Sequence, residues 1–258
     1  MTSLPDTSPR TVSTSTSRPV LVGVAHGSRD QAAAVAVEAL LTVVRATRPA
    51  LDVRAAYLEH GQPVLADLAA GLSAAGQSFV TVPLLLGAAY HSRVDIPAAL
   101  GDAPGTVQAG VLGPDPLLLR ALERRLSEAG VAIGDPAVAV VLAAAGSAES
   151  PSLDAVRGLA QQWRTAGWFA VEPAFASAAE PAVEDAVRGL RAAGAPRVAV
   201  ATYLLSPGLF ADKVAAAGAD VTSAPLTDAP EVAELVLLRY DAAARPVGAH
   251  TRADSDHK

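Results

Sequence analysis

Apolar residues in this chain fall into short continuous runs, separated by stretches in which they recur every three or four positions. The run PVLVGVA (19–25) is Val-rich and unbroken, as expected of a parallel strand buried on both faces. An Ala-rich helical stretch follows from about Asp30 to Thr47, then the strand DVRAAYLE (52–59). PVLADLAAGLSAAG (63–76) reads as a helix with proline in its first turn and glycine at its end. The strand FVTVPLLL (79–86), the short helix VDIPAAL, the strand GTVQAGV and the helix PLLLRALERRL complete the first pass. Such alternation predicts an α/β fold with a parallel sheet and helices on its faces.

The pattern then restarts. AVAVVLAAAGSAES (137–150) matches PVLVGVAHGSRD, with Gly146-Ser147 on Gly27-Ser28. PAVEDAVRGLRAAGAPRVAV (181–200) matches 63–82 without a gap, Pro63 falling on Pro181 and Asp67 on Asp185. A repeat this long is a duplicated domain and not a solenoid array. The expectation is two duplicated parallel-sheet α/β domains facing a central cleft, at 19–133 and 134–245. Residues 1–18, rich in Ser, Thr and Pro, read as a disordered leader, and 246–258 as a flexible tail.

Composition narrows the chemistry. Half the chain is hydrophobic (51%), so it can build a core. A net charge of −6 leaves no basic footprint for nucleic acid. Cysteine is absent, which removes disulfides, thiolate metal sites and cysteine nucleophiles and fits a cytoplasmic protein. No apolar stretch reaches the length of a membrane span, and the first residues lack the apolar core of a secretory signal.

The duplication provides an internal control: side chains present in one copy alone are the candidates for function. His26 falls on Ala145, Glu59 on Ser177 and His91 on Leu209. All three stand at or just past the carboxyl ends of strands, where ligands bind in open parallel sheets. Two imidazoles and a carboxylate suit a borderline divalent ion and can also remove protons near neutral pH. Each taken singly is ordinarily a structural or solvated residue; it is their combination that points to a site. His60 reads as a surface or supporting residue, because strand neighbours point to opposite faces unless the strand has already ended. Ser28, Arg29 and Arg93 are candidate substrate-binding residues. Gly27 and Ser28 could equally serve only to turn the chain and cap the helix. Arg29 and Arg93 face Ala148 and Ala211 in the second copy and could each receive a carboxylate. Tyr203 and Phe210 could pack on a flat ligand, with interior packing the plainer role. His250 and His257 read as solvated tail residues.

With these residues assembled, the chain resembles the sirohydrochlorin chelatases of the class II tetrapyrrole metal-chelatase family. HGSRD (26–30), YLEHGQP (57–63) and above all VPLLLGAAYHSRVDIPAAL (82–100) carry the resemblance, which covers nearly all of 19–245. It implies an enzyme that inserts a divalent metal into sirohydrochlorin, in siroheme or cobalamin biosynthesis. His26 and His91 would be the metal-binding histidines, with Glu59 assisting metal delivery or proton removal. The loop GAAY and the polar stretch EHGQP depart from the family pattern and bear on substrate preference. The lack of a polyhistidine run or cysteine cluster favours iron over cobalt. No cofactor beyond the substrate metal is expected, and the fused repeats suggest a monomer. Two other readings stay open: a tetrapyrrole or metal carrier without catalysis, and a histidine phosphotransfer enzyme. The last expects an arginine directly before the histidine, where this chain has Ala25.

Overall fold

The computed structural model describes residues 18–87 and 91–245, and of His91 the backbone alone. The proposed leader up to residue 17, the tail from 246 with His250 and His257, and the His91 side chain therefore lie outside the described residues.

In the first half the elements are β1 (Val20–Ala25), α1 (Gln31–Thr47), β2 (Val53–Tyr57), α2 (Leu65–Ala74), β3 (Phe79–Pro83), α3 (Ile96–Leu100), β4 (Thr106–Gln108) and α4 (Pro116–Glu128). In the second half they are β5 (Val138–Ala144), α5 (Ser150–Trp163), β6 (Ala170–Phe175), α6 (Val183–Ala192), β7 (Arg197–Tyr203), α7 (Leu209–Ala215), β8 (Val221–Thr222) and α8 (Pro230–Ala244). Each half forms a four-stranded parallel sheet, in the orders β2-β1-β3-β4 and β6-β5-β7-β8. The expected α/β duplication is therefore present. The strands predicted over 52–59 and 79–86 end earlier, at Tyr57 and Pro83.

Alternation along the strands divides the interior. In β1, Val20, Val22 and Val24 face one cluster with Leu65, Leu72 and Phe79, while Leu21 faces another. The cluster holding Leu21 also contains Val140 and Leu142 of β5, so the inner faces of both sheets share one core. The outer faces are separate cores, under α2 and α3 in the first half and under α6 and α7 in the second.

The gapless match of 63–82 on 181–200 holds through the helix and fails in the strand. Phe79 stands beside Val20, and the residue beside the equivalent Ala139 is Val198, one position beyond Arg197. A strand slipped by one residue exchanges its two faces, and the gapless register would put Arg197 into the outer core where Val198 is fully buried.

The last helix of each half crosses over. α4 packs against β7 of the second sheet, and α8 packs against β3, β4 and α1 of the first. Hydrogen bonds fix both crossings. Tyr240 of α8 donates its hydroxyl to the Pro19 carbonyl at 2.6 Å, and Arg239 Nε reaches the Val111 carbonyl at 2.8 Å. Arg125 of α4 reaches the Leu226 carbonyl at 3.2 Å and pairs with Asp228. Among the described residues no helix is long and apolar enough to cross a membrane.

Candidate active site

The site begins with a backbone contact. The β1–β2 pairing continues past the strands, with Leu58 N–H donating to the Ala25 carbonyl at 3.1 Å and Glu59 N–H to the His26 carbonyl at 3.0 Å. Gly27 follows with φ +100°, and a Cβ there would stand 1.6 Å from the Glu59 carbonyl oxygen. Only glycine permits both that backbone conformation and that approach. The second copy repeats the arrangement: a Cβ on Gly146 (φ +95°) would stand 1.8 Å from the Ser177 carbonyl oxygen. Gly27 with Glu59, and Gly146 with Ser177, are thus structural counterparts.

On this shared frame the side chains diverge. His26 Nε2 lies 3.0 Å from Glu59 Oε1, both groups being about half exposed (41% and 52%). In the second copy Ala145 has no ring, and Ser177 turns its hydroxyl back onto the Ala145 carbonyl at 2.9 Å. His60 Nε2 comes within 3.8 Å of the same Glu59 oxygen, and its ring lines the same cavity as His26. β2 has already ended at Tyr57 and His60 has φ +50°, so the opposite-face rule for strand neighbours does not apply to His60 and Glu59. Gly61, just after His60 in EHGQP, is the sequence signal for a turn directly after the predicted strand 52–59.

The backbone of His91 opens a π-helical turn, His91–Asp95. The turn is anchored by Gln108 Nε2, which donates to the Ser92 carbonyl at 2.7 Å, and by fully buried Ile96. Among the described residues no three imidazole or carboxylate groups already stand as a metal-holding set.

The polar candidates have distinct surroundings. Ser28 Oγ accepts the Asp30 N–H at 3.0 Å, and Ser147 repeats this with Glu149 at 3.0 Å. The cap of α1 is Asp30, whose carboxylate accepts the Ala32 N–H at 2.9 Å. Ser28 also lines the cavity beside His26. Arg29 is exposed, pairs with no carboxylate among the described residues and lines neither cavity. Arg93 reaches across to the second half and pairs with Glu149. That contact carries no local sequence signal, since nothing links residues 56 positions apart.

The cleft consists of two adjoining cavities that share Leu84, Leu85, Leu204 and Leu205 as their common ridge. The first, about 330 Å³, runs from His26 and α1 to the loop Pro207–Ala211 of the second copy. The second, about 520 Å³, is its counterpart, running from Ala145 and α5 to Leu86 and Gly87. Matching positions line both, as with Ala33 and Ser152 or Val37 and Val156. Leu209 and Phe210 stand exposed (70% and 39%) on the wall opposite His26. Tyr203 is interior, 3% exposed, its hydroxyl donating to the Leu86 carbonyl at 3.1 Å; burial pushes its phenol well above the usual range.

The comparisons with known proteins agree with this fold. A family model described as CbiX matches residues 20–129 and 139–243, covering both copies. The chain belongs to the CbiX family. It is similar to the sirohydrochlorin cobaltochelatase of Priestia megaterium, with 26% identity over 197 residues; the match spans 72% of this chain and 64% of that relative. Among solved structures, SirB from Bacillus subtilis with Fe3+ superposes with a TM-score of 0.75 at 22% identity, over 88% of this chain and 96% of that one. The sirohydrochlorin chelatase SirB from Bacillus subtilis subspecies spizizenii, in complex with cobalt, gives 0.68 at 21% identity over the same shares. These structural likenesses establish the fold.

Proposed function

We propose that this protein is a sirohydrochlorin chelatase, inserting a divalent metal into the ring in siroheme or cobalamin biosynthesis, with iron favoured and cobalt second. The observation that carries the reading is the His26–Glu59 pair, 3.0 Å apart at the mouth of an apolar cavity and missing from an otherwise matching second copy. Membership of the CbiX family and the names of its relatives support it.

Metal and metal-free ring exchange M²⁺ for two N–H protons, so the site must offer the ion few ligands and also accept protons. Two imidazoles and one carboxylate, His26, His91 and Glu59, would hold the ion while leaving positions open to ring nitrogens. Two donors each about 2.1 Å from one ion stand about 3.0–3.4 Å apart, and the His26–Glu59 separation fits that span. As the ion leaves for the ring, the vacated imidazole and carboxylate take up the displaced protons. His60, with Nε2 3.8 Å from the same Glu59 oxygen, would be a further acceptor for such a proton. Leu209 and Phe210 would press on a ring face, burying apolar surface that is now exposed. Ser28, Arg29 and Arg93 would receive ring carboxylates, Ser28 through its remaining O–H. One chain supplies both walls of the cleft, which supports a monomer, and the absence of cysteine fits the cytoplasm.

The test is an anaerobic absorbance assay of sirohydrochlorin with Fe²⁺ or Co²⁺, with and without the protein. The expected result is metallation well above the free-ring rate. A protein that binds the ring stoichiometrically without accelerating metallation would be a carrier, and the proposal would fall.

A further inference from the structure

We infer that Glu149, from the second copy, makes the cleft selective for ring carboxylates by holding Arg93 until a ligand carboxylate replaces it. This rests on the function proposed above.

Arg93 lies on the turn that His91 opens in the first half; Glu149 lies immediately before α5 in the second and lines the larger cavity. Their ion pair therefore bridges the two halves at the rim of that cavity. Two comparisons within the molecule set this pair apart from its surroundings. First, the matching crossing has Asp30 in the place of Glu149 and Ala211 in the place of Arg93, and among the described residues no ion pair forms there. Second, Asp30 and Asp115 each use their carboxylate to cap their own helix, whereas Glu149 makes no side-chain cap to α5. The Glu149 carboxylate is directed to Arg93 instead.

The energetics allow an exchange. The Arg93 side chain is 57% exposed, and a pair this wet contributes little net stability, so trading one carboxylate for another is nearly neutral. A ring edge bearing carboxylates can take over the guanidinium, which forms bidentate bonds with any carboxylate. A ring edge without them leaves Arg93 with Glu149 and gains nothing. Glu149 thus works as a built-in competitor, and only a ligand of like chemistry displaces it.

The experiment is a double-mutant cycle read by absorbance titration of metal-free sirohydrochlorin into wild type, Glu149→Gln, Arg93→Gln and the double variant, with Glu149→Ala as a second removal of the competitor. Both Glu149 variants are expected to bind the ring roughly threefold to fivefold more tightly, about what an exposed pair is worth. Arg93→Gln should bind more weakly, and adding Glu149→Gln to it should change nothing further. If the Glu149 variants bind no more tightly than wild type, the inference fails. If the gain survives the loss of Arg93, it reflects plain charge repulsion and the inference fails as well. If wild type itself binds no sirohydrochlorin, it is the proposed function that fails, and the two failures are told apart by that first titration.

Discussion

Gly27 joins the two loops that carry His26 and Glu59, the groups proposed to do the chemistry, through a contact that has no side chain of its own. Replacing it with alanine would drive a Cβ to 1.6 Å from the Glu59 carbonyl and hold a left-handed backbone. Gly76→Ala provides the control, having φ +66° and no atom within 4 Å of the new carbon. The control should cost about 1–2 kcal/mol from backbone strain alone. Gly27→Ala should cost about 3 kcal/mol or more and lose activity with it, as urea denaturation and a rate assay would check. Equal losses at both sites would contradict the close contact. At this scale much was legible: His26 and Glu59 meet because strand ends in a parallel sheet converge, which the alternation of elements already implied. Where the His60 ring points was not legible, since it depends on a strand end at Tyr57 and one positive φ. Glu149 was out of reach, because its partner lies in another half of the chain.

Between elements, the junction of α1 and α8 carries a titratable clamp. Arg48 makes two hydrogen bonds to Asp241, at 2.6 and 2.8 Å, and holds its carboxyl below the usual carboxylate range. A depressed carboxyl contributes stability above the unfolded value near pH 4 and loses it as pH falls through the folded value. Asp241→Asn should therefore lower stability at neutral pH by less than about 1 kcal/mol, since both side chains are partly wet and screened. Its unfolding curve and that of wild type should converge in acid; a constant gap from pH 7 to the acid limb would contradict the clamp. Helix and strand identities followed from apolar spacing, while the register of β7 did not. A gapless sequence match cannot see that Val198, and not Arg197, must fill the outer core.

At the scale of the whole molecule, each half borrows its last helix from the other. The duplication was plain in the sequence, but the exchange was not, because a helix that covers its neighbour's sheet has the same apolar stripe as one that covers its own. Without α8, the first half would uncover the inner face of β3, with Val80 and Val82. Residues 19–133 and 134–245 produced separately should show no cooperative unfolding, and together they should recover a folded pair; a cooperative transition in either alone would contradict the exchange. The cavity walls also depend on it, since both cavities lie where the halves meet. The central claim is that one copy carries the chemistry and the other shapes the cleft, and anaerobic metallation rates for His26→Ala, Glu59→Gln and Ser177→Ala test it most directly. The first two should fall by about 100-fold or more while Ser177→Ala keeps the wild-type rate; a His26→Ala protein as fast as wild type, or a Ser177→Ala protein as slow as Glu59→Gln, would contradict it.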